Sequence, residues 1–270
     1  MRKILLLLVL NIFINLYANS IPNHSYYTAR REPNERGLTA YKNMMAKLKN
    51  YKLSIASDTP MDVAKPLNQI SYKNVAQLAN YDEVIKEFNN IRDTRFINYE
   101  SSGRLSQRRI PWEYPEDFCY ARAGAANIYL RSNSHIRPSL IFVFGDLSAK
   151  SVNAMNDNER VNWNYHVAPI VQEHDNIYVL DPAINPNKPL LVHEWYDLMH
   201  DQNLKAAICD TYTYYPNDSC LHPKHDAAKD NDLMQDVKFA IFLEQQNFDV
   251  IFFGDTPPWK WKNPKTFGNK

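Results

Sequence analysis

The chain has 270 residues, 44% of them hydrophobic and 23% charged, a globular composition that excludes a disordered chain and suits one or two domains. Only 6 residues are glycine, and neither G-x-G-x-x-G nor G-x-x-x-x-G-K-[ST] occurs, which excludes the common nucleotide loops. The formal net charge is +1 and changes sign without Arg2 and Lys3, so no strong field exists to recruit nucleic acid or an anionic membrane.

Residues 1–20 read as a signal peptide. Arg2 and Lys3 give a positive start, Ile4 to Leu16 an apolar run, and Ala18-Asn19-Ser20 small residues for cleavage. The run is short for a bilayer span, which leaves an uncleaved anchor as the alternative. A periplasmic or extracellular protein is expected, without stable membrane association once the segment is removed. Residues 21–80 are polar and lysine-rich, with a helix expected over Thr39 to Leu53 and loops or short strands over 54–72. They read as an N-terminal extension or pro-segment.

Val84, Ile85, Phe88 and Ile91 recur at helical spacing, which predicts a helix over Tyr81 to Ile91. Residues 92–114 look irregular. Alanine-rich Phe118 to Arg131 reads as a second helix, with Asp117 as its N-cap and Gly124 allowing close approach to a sheet. Strands are expected over Leu140–Phe144, ending at Gly145-Asp146, then over Trp163–Val171 and over Ile177–Leu180, ending at Asp181-Pro182. Helices follow over Glu194–His200 and over Leu233–Gln246, the latter with Val237, Ala240, Ile241 and Phe248 near one face. This order gives an α+β chain.

The three cysteines are Cys119, Cys209 and Cys220. In a secreted chain Cys209 and Cys220 can close a short loop as a disulfide, leaving Cys119 as either a reactive thiol or a buried structural residue. A thiol in the first turn of a helix feels the positive end of the helix dipole, which favours the thiolate nucleophile. His166 and Asp181 flank the polar turn 172–176. An antiparallel hairpin centred near Glu173 and His174 sets the two opposite each other on one face, close enough for a carboxylate to orient an imidazole. A thiol, a base and an orienting acid form a Cys-His-Asp constellation.

Four blocks carry a family resemblance. Tyr114-Pro115-Glu116-Asp117-Phe118-Cys119-Tyr120-Ala121-Arg122-Ala123 resembles the nucleophile segment of the bacterial protein glutaminases. Phe142 to Leu147, Trp163 to Ala168 and Leu180-Asp181-Pro182 are similar to that family's next strand, its histidine block and its aspartate block. Pro189 to Trp195 and Tyr214-Tyr215 fit more loosely. The resemblance spans about residues 83–216. It implies a papain-like, transglutaminase-like fold in which a central helix bearing the cysteine packs on an antiparallel sheet. It also implies deamidation of glutamine in protein or peptide substrates through a thioester, with no metal or nucleotide. Catalytic roles then fall to Cys119, His166 and Asp181, and Trp163, Tyr165 and Tyr120 are candidates for lining the substrate cleft. The implied division is a signal peptide at 1–20, the extension at 21–80, a catalytic domain at 81–216 and a C-terminal helical extension and tail at 217–270.

Other readings stay open. A transglutaminase or a cysteine peptidase would use the same three residues. A non-catalytic secreted module could instead place zinc on Cys209, Cys220, His222 and His225. The basic, aromatic Trp259-Lys260-Trp261-Lys262 reads as a solvated terminus.

Overall fold

The computed structural model describes residues 24–101, 103–151, 154, 160–201 and 203–247. The signal segment, Phe248 and the tail around Trp259 therefore lie outside the described residues. A six-stranded antiparallel sheet forms the centre, in the order β1 (Lys65–Pro66), β8 (Lys205–Cys209), β4 (Ser139–Lys150), β5 (Arg160–Glu173), β6 (Asn176–Val179), β7 (Leu190–Leu191). Every residue of Ser139–Phe144 and of Trp163–Val171 is buried, so both faces of the central strands are covered. That is why these stretches read as continuous apolar runs without alternation. The helices that pack most closely on β5 are Cys119–Tyr129 and Gly37–Asn50, with a smaller contact from Tyr81–Asp93.

The long helices follow from sequence periodicity. Tyr81–Asp93 buries Val84, Phe88 and Ile91, and the Asn80 side chain caps it by accepting from the Glu83 N–H. Gly37–Asn50 starts two residues before the expected helix and buries Tyr41, Met44 and Leu48. The C-terminal helix, Ala227–Asn247, begins six residues before the expected start and packs Leu233, Val237, Ala240 and Ile241 inward. A shorter helix, Val192–Asp197, replaces the one expected over Glu194–His200.

Four expectations are corrected. The strand from Leu140 does not stop at Gly145-Asp146: a bulge between Phe144 and Leu147 lets it continue to Lys150. The stretch read as irregular holds a hairpin, β2 (Ile97–Ser101) with β3 (Arg104–Arg108), whose second strand is exposed and polar enough to look like loop. The β5–β6 hairpin turns at His174-Asp175, with Glu173 opposite Asn176, two residues out of the expected register. An even offset keeps every side chain on its face, so His166 and Asp181 still meet. Gly124 faces a helix and not the sheet: a methyl group there would collide with the Leu233 side chain.

Candidate active site

The site begins at the turn into the Cys119 helix. Phe118 is the cap residue, in the left-handed region with φ 59° and ψ 27°. A non-glycine residue loses about 1–2 kcal/mol there, so the surroundings must hold it. Asp117 does not cap the helix as expected. Its half-buried carboxylate accepts from the Phe118 N–H, the Ala29 N–H (each 2.8 Å) and the Thr28 hydroxyl, fastening the turn to the N-terminal segment. Cys119 is thereby the first helical residue, 1% exposed, and its thiol is free. Burial pushes that thiol up to about 12; the Arg122 charge and the Val167 N–H pull it down, while Asp117 and Asp181 push it up. In this enclosed state the helix start does not offset burial and the two carboxylates by itself, so a thiolate needs a further positive charge nearby.

His166 and Asp181 come together as the hairpin argument requires. His166 Nε2 lies 2.8 Å from Asp181 Oδ2, with both residues buried. The same oxygen accepts from Trp195 Nε1 at 3.0 Å. Burial pushes the Asp181 carboxyl up, but His166, the Trp195 N–H and the Arg122 charge together hold it below the usual carboxylate range. An ionised partner at Nε2 assigns the proton to that nitrogen and leaves Nδ1 basic; Nδ1 is enclosed and without a partner. The indole of Trp163 stacks on the imidazole at 4.3 Å and 14°, and its Nε1 donates to the Pro115 carbonyl. Imidazole, indole and the turn before Cys119 are thus one packed unit.

Trp163, Tyr165 and Tyr120, candidates for the substrate cleft, are all at most 1% exposed. Trp163 supports the imidazole. Tyr165 donates to the Tyr27 carbonyl. Tyr120 packs edge-on against Tyr27 at 5.6 Å. The N-terminal segment is the cover over this region. Asn164 N–H donates to Ala29 O, Arg31 N–H to Asn162 O, and the Arg31 guanidinium to the carbonyls of Trp163 and Leu147. A cavity of about 590 Å³ opens beside the same tyrosines, lined by Tyr26, Tyr27, Tyr215, Asp218, Asp232 and Asp236 among others, and none of the three candidate residues lines it.

Two members of the site escaped the sequence reading. Trp195 lay at the end of a loosely matching block, and Arg122 lay inside the nucleophile motif; neither type at its position signals a partner across the fold. Cys209 and Cys220 are joined in a disulfide, so the thiols needed for a zinc site with His222 and His225 are consumed. No group of three or more metal-ligating side chains occurs among the described residues, and no helix among them is long and apolar enough to cross a membrane.

Residues 84–199 match the family model described as glutaminase, which bears out the resemblance drawn from the four sequence blocks. The chain is similar to a crystal structure of a pro-protein-glutaminase, at 21% identity and a TM-score of 0.48, covering 80% of this chain and 85% of that one. It is also similar to a protein-glutaminase crystal structure, at 22% identity and a TM-score of 0.44, covering 61% of this chain and 89% of that one. An NMR structure of protein-glutaminase from Chryseobacterium proteolyticum aligns at 22% identity and a TM-score of 0.43, covering 59% of this chain and 88% of that one. No curated protein matches the chain.

Proposed function

From a glutaminase-family region at residues 84–199, we propose that the protein hydrolyses the side-chain amide of protein-bound glutamine to glutamate and releases ammonia. The observation that carries the reading is the enclosed His166–Asp181 pair, braced by Trp195 and Trp163, together with a free thiol at a helix start on which the Val167 N–H and the Asp181 charge act.

In the proposed reaction, His166 Nδ1 takes the Cys119 proton and the sulfur attacks the carboxamide carbon. Backbone N–H groups near the helix start, including that of Cys119, stabilise the oxyanion. The imidazolium passes its proton to the departing ammonia, leaving a thioester. Water, deprotonated by His166, then attacks the thioester carbon; glutamate forms and the thiol is restored. Asp181 holds the imidazole tautomer and balances its charge throughout. Substrate reaches Cys119 only after the Tyr27–Arg31 segment moves aside, the role proposed for the N-terminal extension as a cover over the catalytic domain. The Cys209–Cys220 disulfide and the apolar N-terminal segment support export to an oxidising compartment, the periplasm or the exterior.

Incubation with casein, with and without a primary amine, tests the reaction. Ammonia release with glutamine converted to glutamate and no chain cleavage is expected. Amine incorporation in preference to hydrolysis would make the protein a transglutaminase, and new peptide termini would make it a peptidase.

A further inference from the structure

The proposed reaction leaves one buried charge unused. Arg122 is 1% exposed. Its Nη1 donates to the carbonyl oxygens of Tyr114 and Asp117, while its Nη2 is enclosed and has no hydrogen-bond partner. A buried guanidinium whose bonds go only to neutral carbonyls is costly unless something in the working site uses the charge. Helical side chains lean toward the N-terminus, and residues three apart share a face. The carbonyls that Arg122 holds come from the chain just before Cys119, so its guanidinium lies level with the first turn, where the sulfur is. Burial opposes the charge on Arg122, and the group that favours that charge most is Cys119, ahead of Asp181 and Asp117.

We propose that Arg122 is a positioning residue: a fixed countercharge that favours the Cys119 thiolate while its Nη1 bonds hold the left-handed turn at Phe118. The proposal rests on Cys119 being the nucleophile. The other groups acting on the sulfur are Asp117 and Asp181, which oppose the thiolate, and the Val167 N–H, which favours it. The His166 imidazole immediately precedes Val167 in the chain and supplies a second positive charge once it holds the thiol proton. Buried Tyr165 interacts with the sulfur as well. Without Arg122, the resting sulfur would feel the opposing charges of Asp117 and Asp181 with no fixed positive charge to offset them.

Iodoacetamide is small and uncharged and reacts with the thiolate, and Cys119 is the one free thiol among the described residues. Its alkylation rate at pH 8, followed by intact mass spectrometry, is the readout. Loss of an opposite charge at this range moves a thiol by about 1–3 pH units, of which the greater nucleophilicity of a more basic sulfur returns about half. Arg122→Gln is therefore expected to be alkylated at least about threefold more slowly than the unaltered protein, and Arg122→Lys to recover most of that rate. A purely structural role predicts the opposite sign, because loosening the turn uncovers the sulfur and speeds alkylation. An equal or faster rate in a folded Arg122→Gln overturns the proposal. Should that variant lose the far-UV circular dichroism of the parent, Arg122→Lys decides: it keeps the charge and is expected to be alkylated within about threefold of the parent rate and no faster. A folded Arg122→Lys alkylated clearly faster than the parent, as loosening of the turn predicts, overturns the proposal. The readout needs no glutamine substrate, so absent ammonia release with the alkylation contrast intact would refute the glutaminase reading and not this one.

Discussion

Asp181 Oδ2 receives two donors, His166 Nε2 and Trp195 Nε1, and that shared oxygen is what fixes the imidazole. An amide at 181 would keep the shape but present no negative charge and no guarantee of the Nε2–H tautomer. Asp181→Asn is expected to lower the rate of ammonia release by roughly 10²- to 10⁴-fold with little change in far-UV circular dichroism; a rate within a few-fold of the parent would remove Asp181 from the mechanism. Cys119 carries a second consequence. Its thiol is pushed up to about 12, so the folded protein retains a proton that the unfolded chain loses above an ordinary thiol pKa of about 8.5. The folded state is therefore penalised as pH rises from about 8.5 toward 12, by up to about 1.4 kcal/mol per pH unit. Denaturant unfolding at pH 8 and 10 should show the parent losing stability relative to Cys119→Ser, and a constant difference between the two would contradict the burial of the thiol. Cys119, His166 and Asp181 were legible because each has a local signature: an odd thiol at a helix start, and two residues bracketing a polar turn. Trp195 and Arg122 were not, because what gives them a role is a neighbour brought in by tertiary folding.

Packing between elements turns on Gly124. It lies in the Cys119 helix against Leu233 of the C-terminal helix, with no room for a methyl group. Gly124→Ala gains helix propensity but makes the Leu233 side chain or its helix shift out of a packed position, and overpacking of this kind costs about 1–3 kcal/mol. A lowered melting temperature is expected; an unchanged or raised one would mean that the contact yields freely. The long strands were readable because the central strands are buried on both faces and enriched in branched and aromatic residues. The two-residue strands Lys65–Pro66 and Leu190–Leu191 exist only through their partners. Lys205–Cys209 carries two alanines where strand formers were sought, and it is held by pairing along Leu140–Phe144. The hairpin register was off by two because the polar turn gives no residue that fixes its centre; face, which decides whether His166 and Asp181 meet, survives an even error.

For the molecule as a whole, the Cys209–Cys220 bridge ties the end of β8 to the loop that leads toward the C-terminal helix. Closing a loop of this size contributes roughly 2–4 kcal/mol. Replacing both cysteines by serine should lower unfolding stability by about that amount while leaving Cys119 alkylation possible; an undiminished stability would show that the bridge constrains little. The N-terminal segment joins the same assembly through the bonds of Asp117, Asn164 and Arg31, and the enclosure of Cys119 makes access to the sulfur a property of the whole chain. The most direct test of the central claim is ammonia release from casein by the full chain and by Cys119→Ala, with conversion of glutamine to glutamate read by mass spectrometry. The account predicts release by the parent and none above background by the variant. Equal release by both would contradict it.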